Sequence, residues 1–197
     1  MTSVIVSSFF YYFSFGSNLL KERIHVQVKD AVFVSVGRLK NYELTFYDYG
    51  DRWCGAVASI EYKNNSEVWG CVWRVPDSYA DELDEQERGY HRLNVDVEIQ
   101  NGTTTQNITC RTYQYSNPNR NRQPPSPHYK HVIVSGAIEH SLPVSYINFL
   151  KSIPDNGYVG EVRLKLNALK TLNSTGKQLK QNGRLKMNNN NNNSTSF

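Results

Sequence analysis

An abrupt change of character near the N-terminus constrains the fold more than any other feature of this sequence. The stretch from Phe9 to Phe15 (FFYYFSF) is apolar and rich in aromatic residues, which is typical of a buried β-strand. Gly16 interrupts this pattern, Ser17 and Asn18 are good helix N-caps, and the helix formers LLKERI follow. The segment therefore predicts a strand, a tight loop and a helix N-terminus, where free backbone N–H groups and the positive end of the helix dipole converge.

The rest of the chain shows many short strand patterns and few helical ones. Strands are predicted at Ala31–Arg38, Tyr42–Tyr47, Cys54–Tyr62, Glu67–Val75, Arg92–Ile99 and Gln106–Tyr115, with a hairpin turn signal at Asn101-Gly102. Helices are predicted at Asp77–Arg88, Pro127–Glu139, Pro143–Ile153 and Gly160–Leu172. This balance predicts an α+β fold built on a curled or barrel-like sheet that is largely antiparallel.

Length and composition predict one folded domain with a C-terminal tail. The 197 residues are 39% hydrophobic, which is enough for a single core. From about Ser174 the composition changes to Lys, Gln and Asn, and residues 188–193 are all Asn. Such a segment cannot bury enough apolar surface to order itself. We therefore predict a domain over residues 1–172 and a disordered tail over residues 173–197.

The charge pattern argues against nucleic acid as a partner. The net charge of +4 arises at the C-terminal end, because seven basic and no acidic residues lie beyond residue 161. The remainder carries 15 basic and 18 acidic residues, so the body of the chain is slightly acidic. A Lys-rich end without interleaved aromatic residues is typical of a solubilising tail.

The cysteines and the N-terminus indicate a soluble protein of a reducing compartment, and we expect it to be cytoplasmic. Cys54, Cys71 and Cys110 are an odd number of isolated thiols, without the spacing of a disulfide framework or a zinc site. The apolar N-terminal stretch lacks a basic region and a cleavage site, and it is too short to span a bilayer. No membrane association and no metal are expected.

One carboxylate in the segment PDSYADELDEQERGY falls on the apolar side of a predicted helix. Tyr79, Leu83 and Glu87 recur at helical spacing, so Glu87 extends the core-facing stripe. Partial burial would raise its pKa toward the range in which one residue can take and return a proton. The alternative is that the helix ends here and that Glu87 faces water or pairs with Arg88.

Five segments, in order, resemble gamma-glutamylcyclotransferases. They are YYFSFGSNLLKERI, EVWGCVWRV, LDEQE, ITCRTYQY and PPSPHYKHVIVSGAIEHSLPVSYINFLKSI, and the resemblance extends over residues 9–168. It implies a small mixed β-barrel flanked by helices. It also implies an enzyme that converts γ-glutamyl amino acids to 5-oxoproline and a free amino acid without a cofactor. Relatives tend to form dimers, which makes a homodimer an expectation.

The resemblance also implies a set of site residues. The substrate-cradling loop would be Phe15, Gly16, Ser17, Asn18 and Leu19. Glu87 would be the catalytic acid–base, and Tyr113 and Tyr129 would line the pocket. Arg88 and Asn94 stand where the family pattern has Gly and Tyr, which affects the expected substrate preference.

Other assignments stay open at this point. Ser17 could be a nucleophile, although there is no G-x-S-x-G elbow around it. His128 and His131 have a spacing that could hold a metal, but without a nearby third ligand they are interpreted as surface or pocket-rim residues. The fold could also act on γ-glutamyl amines, isopeptides or glutathione, or serve as a non-catalytic binding module.

Overall fold

A computed structural model describes residues 8–87 and 89–175 of the chain. Its strands are β1 (Phe9–Ser14), β2 (Val32–Gly50), β3 (Gly55–Pro76), β4 (Tyr90–Asn101) and β5 (Thr104–Tyr115). Its α-helices are α1 (Lys21–Ile24), α2 (Ala80–Gln86), α3 (Pro127–Glu139) and α4 (Val144–Ser152). Short 3-10 turns occur at Ser17–Leu19, Asp77–Tyr79 and Asn167–Leu169.

The five strands form one sheet that closes into a barrel in the order β1-β3-β2-β4-β5. Most pairs are antiparallel, and β1 closes the ring by pairing antiparallel with β3 and parallel with β5. The parallel contact joins Tyr12 to Arg111. The predicted α+β class and the mixed, closed sheet are therefore confirmed.

Four of the predicted strands are halves of two long ones. β2 covers the predicted strands Ala31–Arg38 and Tyr42–Tyr47 except for Ala31, and β3 covers Cys54–Tyr62 and Glu67–Val75 except for Cys54. The pairing of β2 with β3 shifts register at three places, and one of them, between Lys40 and Tyr42, lies between the halves, where Asn41 and Asn65 adopt positive φ. The sequence pattern located the interruption between the halves, but it did not show the other two shifts or that the strands continue.

The helical predictions agree less evenly with the structure. α3 has the predicted bounds, and its N-terminus is capped by Ser126, whose hydroxyl accepts the N–H of Tyr129 at 3.1 Å. The predicted helix Gly160–Leu172 is wrong, because residues 161–166 are irregular and helical geometry begins only at Asn167. The chain is helical over residues 170–175, and most of the predicted tail, residues 176–197, lies outside the described part.

The predicted capping by Ser17 and Asn18 is also wrong. These residues form the 3-10 turn themselves, and α1 starts at Lys21 with Leu20 in the N-cap position and no side-chain cap. The Asn18 side chain points into the molecule instead.

Within the described ranges, no helix is both long and apolar enough to cross a membrane.

Helix α3 supports the loop after β1 through a close backbone approach. Gly136 is buried on the face of α3 toward this loop, and a Cβ atom there would lie 2.4 Å from the backbone N of Leu20. A separation this short means that only glycine fits unless the helix or the loop moves. The glycine thus sets how closely α3 packs on Leu19 and Leu20.

We expect Gly136→Ala to destabilise the protein although alanine is the better helix former. Helix propensity favours the change by about 1 kcal/mol, whereas overpacking against a backbone costs about 1–3 kcal/mol or more. Urea unfolding should therefore give a lower free energy of unfolding for this variant. Ser135→Ala, at the neighbouring and less buried position, is the control and should stay within about 0.5 kcal/mol of the parent. A more stable Gly136→Ala protein would contradict the packing argument.

Candidate active site

The loop that follows β1 is held in one shape by hydrogen bonds on both sides. Within it, the N–H of Leu19 donates to the carbonyl of Gly16 at 3.0 Å. From the strand, the Ser14 hydroxyl donates to the carbonyl of Asn18 at 3.1 Å, and it accepts the indole N–H of Trp73 at 3.0 Å. A buried loop with these bonds satisfied is pre-organised before any ligand arrives.

Glu87 lies at the C-terminal end of α2, immediately after its last helical residue. Its N–H still donates to the carbonyl of Leu83 at 3.2 Å, and Leu83 is fully buried, which anchors the end of the helix in the core. The helix does end here, as one of the two sequence interpretations required. The Glu87 carboxyl group nevertheless points inward, and it is the acidic side chain of the site.

Two side chains, those of Asn18 and Tyr12, form a hydrogen-bonded cluster with the Glu87 carboxyl group. The Asn18 amide Nδ2 donates to Glu87 Oε1 at 3.3 Å and to the Tyr12 hydroxyl at 3.1 Å. The Tyr12 hydroxyl in turn donates to Glu87 Oε1 at 3.5 Å. Asn18 therefore joins the loop after β1 to the carboxylate at the end of α2. Tyr12 was not among the predicted site residues.

The environment of Glu87 favours its neutral form more than water does. Burial raises the pKa of Glu87 to about 7, although Arg23, the Tyr12 hydrogen bond and Arg52 each act to lower it. The Asp84 carboxylate adds a smaller effect that raises the same pKa. A carboxyl group with a pKa near neutrality can accept a proton and release it again under physiological conditions.

Two predicted tyrosines face this carboxyl group as neutral phenols. Burial raises the pKa of Tyr129 to about 12, and its hydroxyl accepts the backbone N–H of Ala58 at 3.2 Å. Burial likewise raises the pKa of Tyr113, whose hydroxyl donates to Asp84. Both rings are therefore held in fixed positions by a polar partner as well as by packing.

Two cavities with shared lining residues lie at this site. The inner cavity has a volume of about 40 Å³ and is lined by seven of the eight predicted site residues, namely Phe15, Gly16, Ser17, Asn18, Glu87, Tyr113 and Tyr129. Tyr12, Ala58 and Tyr90 complete its wall. The outer cavity has a volume of about 320 Å³ and shares Ser17, Glu87, Tyr90 and Tyr129 with the inner one. The eighth predicted residue, Leu19, is buried in the core and shapes the loop from behind.

Several residues singled out in the sequence lie away from this site. Asn94 is exposed on β4 and lines neither cavity, and Arg88 lies outside the described residues. His128 is buried, with its ring 5.7 Å from that of Tyr158, so its assignment to the surface or the pocket rim is wrong. Among the residues that the structure describes, no group of three or more metal-ligating side chains is placed to hold an ion.

Sequence reasoning missed four residues that shape the site, namely Tyr12, Arg23, Arg52 and Tyr90. Tyr12 could have been predicted, because it lies on the buried strand just before the loop. Alternate residues of that strand face the same cavity as the loop does. The arginines carry no such signal, since an arginine in a short polar helix or turn is normally on the surface.

The raised pKa of Glu87 makes protein stability depend on pH in a defined direction. The folded state binds the Glu87 proton more tightly than the unfolded state, whose reference pKa is 4.5. The free energy of unfolding therefore decreases as the pH rises above the unfolded pKa, because Glu87 must then be ionised in a buried position. The full decrease is reached only above a pH of about 7.

We expect the free energy of unfolding of Glu87→Gln, relative to that of the parent, to be higher at pH 8 than at pH 5. The difference between the two pH values should be roughly 1 to 3 kcal/mol. Denaturant unfolding of both proteins at the two pH values measures this difference. Glu82→Gln removes an exposed carboxyl group from the same helix and is the matched control, with equal differences at both pH values. A pH-independent effect of Glu87→Gln would show that Glu87 is not desolvated.

Comparisons with known proteins identify the family of the chain. Residues 67–150, which include Glu87, match the model of the AIG2-like family. Gamma-glutamylcyclotransferases of Mus musculus and Homo sapiens are 43% and 40% identical to this chain over 158 residues, covering 78% of it and 83% of each relative. A solved structure of a gamma-glutamyl cyclotransferase superimposes with a TM-score of 0.77 at 38% identity, covering 85% of this chain and 99% of that one. The chain belongs to the gamma-glutamylcyclotransferase family.

Proposed function

We propose that this protein converts γ-glutamyl amino acids to 5-oxoproline and a free amino acid by intramolecular aminolysis. The observation that carries the proposal is the Glu87 carboxyl group, which has a pKa of about 7 and lies against the loop after β1. The names of the relatives support the same reaction. The substrate is then a small molecule that enters through the outer cavity and reacts at Glu87.

The reaction needs positioning and proton transfer more than it needs a reactive protein group. The substrate's α-amine nitrogen forms a bond to its own γ-carbonyl carbon, and the bond from that carbon to the leaving amino acid breaks. Protons lost by the attacking nitrogen are balanced by protons gained by the departing nitrogen. Because both reacting groups belong to one molecule, holding it in the cyclic conformer removes most of the entropic cost.

Glu87 is proposed as the group that carries the proton. As a carboxylate it accepts a proton from the attacking nitrogen, and as a carboxylic acid it delivers a proton to the departing one. A pKa of about 7 suits both halves of this cycle. Asn18 and Tyr12 donate to the same oxygen, Oε1, which leaves the other carboxyl oxygen, Oε2, for the substrate.

The loop Gly16-Ser17-Asn18 is proposed to hold the glutamyl part of the substrate. It lines the inner cavity opposite Glu87, and it is fixed by the hydrogen bonds from β1. Backbone N–H groups at such a turn are suited to bind a carboxylate or the oxyanion that develops on the γ-carbonyl. Gly16 also has no side chain to separate the substrate from the backbone. A Cβ atom there would lie 3.2 Å from the Tyr129 hydroxyl.

A nucleophilic role for Ser17 receives less support. Ser17 lines both cavities, but no histidine is among the described residues that line them. A serine without an adjacent base is a weak nucleophile. Ser17 is therefore proposed as part of the cradle, together with the flanking residues Phe15, Gly16 and Asn18.

The remaining properties expected from the sequence are also proposals. We place the catalytic domain within residues 1–172 and the tail at 173–197, and we propose a cytoplasmic enzyme that forms a homodimer. Three free cysteines support a reducing compartment, since Cys71 and Cys110 are buried and burial raises the pKa of the Cys110 thiol to about 12. A thiol with so high a pKa resists oxidation.

We expect the purified protein to release 5-oxoproline from γ-glutamyl-alanine, and Glu87→Gln to lower kcat by about 100-fold or more, because a positioned acid–base contributes about 10²–10⁴-fold. Chromatographic detection of 5-oxoproline measures both proteins. Glutathione, a γ-glutamyl amine and an ε-lysine isopeptide complete the donor panel.

The control for this experiment is Glu82→Gln, which should retain the rate of the parent because its side chain is exposed on the outer face of α2. Full activity of a folded Glu87→Gln protein would overturn the proton-carrier role. If the folded parent releases nothing from any donor, the non-catalytic binding module becomes the better account.

A further inference from the structure

The outer cavity contains two arginine side chains beside Glu87. Arg23 projects from α1 and Arg52 from the turn between β2 and β3, and both line this cavity. Arg23 is only 2% exposed, whereas Arg52 is exposed. Two cations thus face the space into which the part of the substrate beyond the scissile bond must extend.

Within the described part of the chain, neither arginine is in ion-pair contact with a carboxylate. The ion pairs between described residues include neither Arg23 nor Arg52. The buried Nε of Arg23 has no hydrogen-bond partner among those residues. A buried guanidinium nitrogen without a partner among the described residues is costly, and a ligand that accepts a hydrogen bond there would lower that cost.

The carboxylates that line the same cavity do not remove this positive charge. Asp48 is occupied, because its oxygens accept hydrogen bonds from Tyr115, Asn117 and the backbone N–H of Asn121 at 2.8–2.9 Å. Glu85 is exposed to water at the edge of the cavity. Glu87 attracts Arg23 electrostatically, but it has to give up its negative charge during the proposed reaction.

Arg52 also makes the positive charge of Arg23 less favourable. Burial lowers the pKa of Arg23, and the charge of Arg52 lowers it further. An anion bound between or beside the two guanidinium groups would relieve both the desolvation and the repulsion. The arrangement is therefore stabilised by an anionic ligand and strained without one.

We propose that Arg23 and Arg52 bind the α-carboxylate of the leaving amino acid. The inference rests on the proposed function, which places the glutamyl part against the loop after β1 and the scissile bond at Glu87. The residues shared by the two cavities, Ser17, Glu87, Tyr90 and Tyr129, then mark the boundary between the two halves of the substrate. The leaving group enters the outer cavity, where the arginines lie.

This assignment specifies the substrate class. γ-Glutamyl dipeptides carry a carboxylate one carbon from the leaving nitrogen, within reach of a cation that faces Glu87. γ-Glutamyl amines lack this group, and in glutathione the carboxylate lies one residue further along the chain. The protein should therefore prefer dipeptides to amines through these two side chains.

The test compares two donors that differ only by the carboxylate, γ-glutamyl-alanine and γ-glutamyl-ethylamide. For each protein the ratio of kcat/KM between them is measured, so that any effect of the arginines on Glu87 itself cancels. Arg52→Met should lower the ratio about three- to tenfold, and Arg52→Lys should restore part of it. Arg23→Met, where circular dichroism shows a folded protein, should lower the ratio about tenfold or more.

The matched control is Arg74→Met, which removes an exposed arginine on β3 that lines neither cavity and should leave the ratio unchanged. An unchanged ratio in Arg52→Met, with 5-oxoproline released from both donors, would overturn this inference alone. No release from either donor by the folded parent would overturn the proposed function and this inference with it.

Discussion

The candidate site depends on a carboxyl group that is largely shielded from water. Glu87 is at the end of a seven-residue helix, and only its anchoring through Leu83 and its hydrogen bonds to Asn18 and Tyr12 hold it inside. Burial destabilises the ionised carboxylate more than the positive charges of Arg23 and Arg52 stabilise it, so the pKa of Glu87 rises to about 7. The fold therefore places a carboxyl group with a pKa near neutrality beside a fixed loop.

The closed sheet explains how residues distant in sequence reach one site. β1 carries Tyr12 and ends in the loop with Asn18, and its parallel contact with β5 brings Tyr113 to the same side. Helix α3 places the Tyr129 hydroxyl against the backbone N–H of Ala58, and its Gly136 packs against the loop. Each element thus contributes one wall of the inner cavity, and displacement of any wall would move the groups around Glu87.

The sequence predicted the parts of the site that local patterns encode. The apolar strand followed by Gly16 placed the loop, and helical spacing put Glu87 on the core side although the helix ends one residue earlier. The sequence could not predict the contacts that form only when distant segments pack together. The capping role expected of Asn18 was wrong because its amide bonds Glu87, 69 residues away. Burial of Arg23 likewise results from packing between distant segments, and no local pattern indicates it.

The central claim is that one carboxyl group with a pKa near neutrality carries the proton of the cyclisation. The most direct test is the pH dependence of kcat/KM for 5-oxoproline release from γ-glutamyl-alanine between pH 5 and 8. Activity should fall with decreasing pH as a single group with an apparent pKa near 7 is protonated. A rate that is constant down to pH 5 would contradict it, because Glu87 would then be ionised like a carboxylate in water.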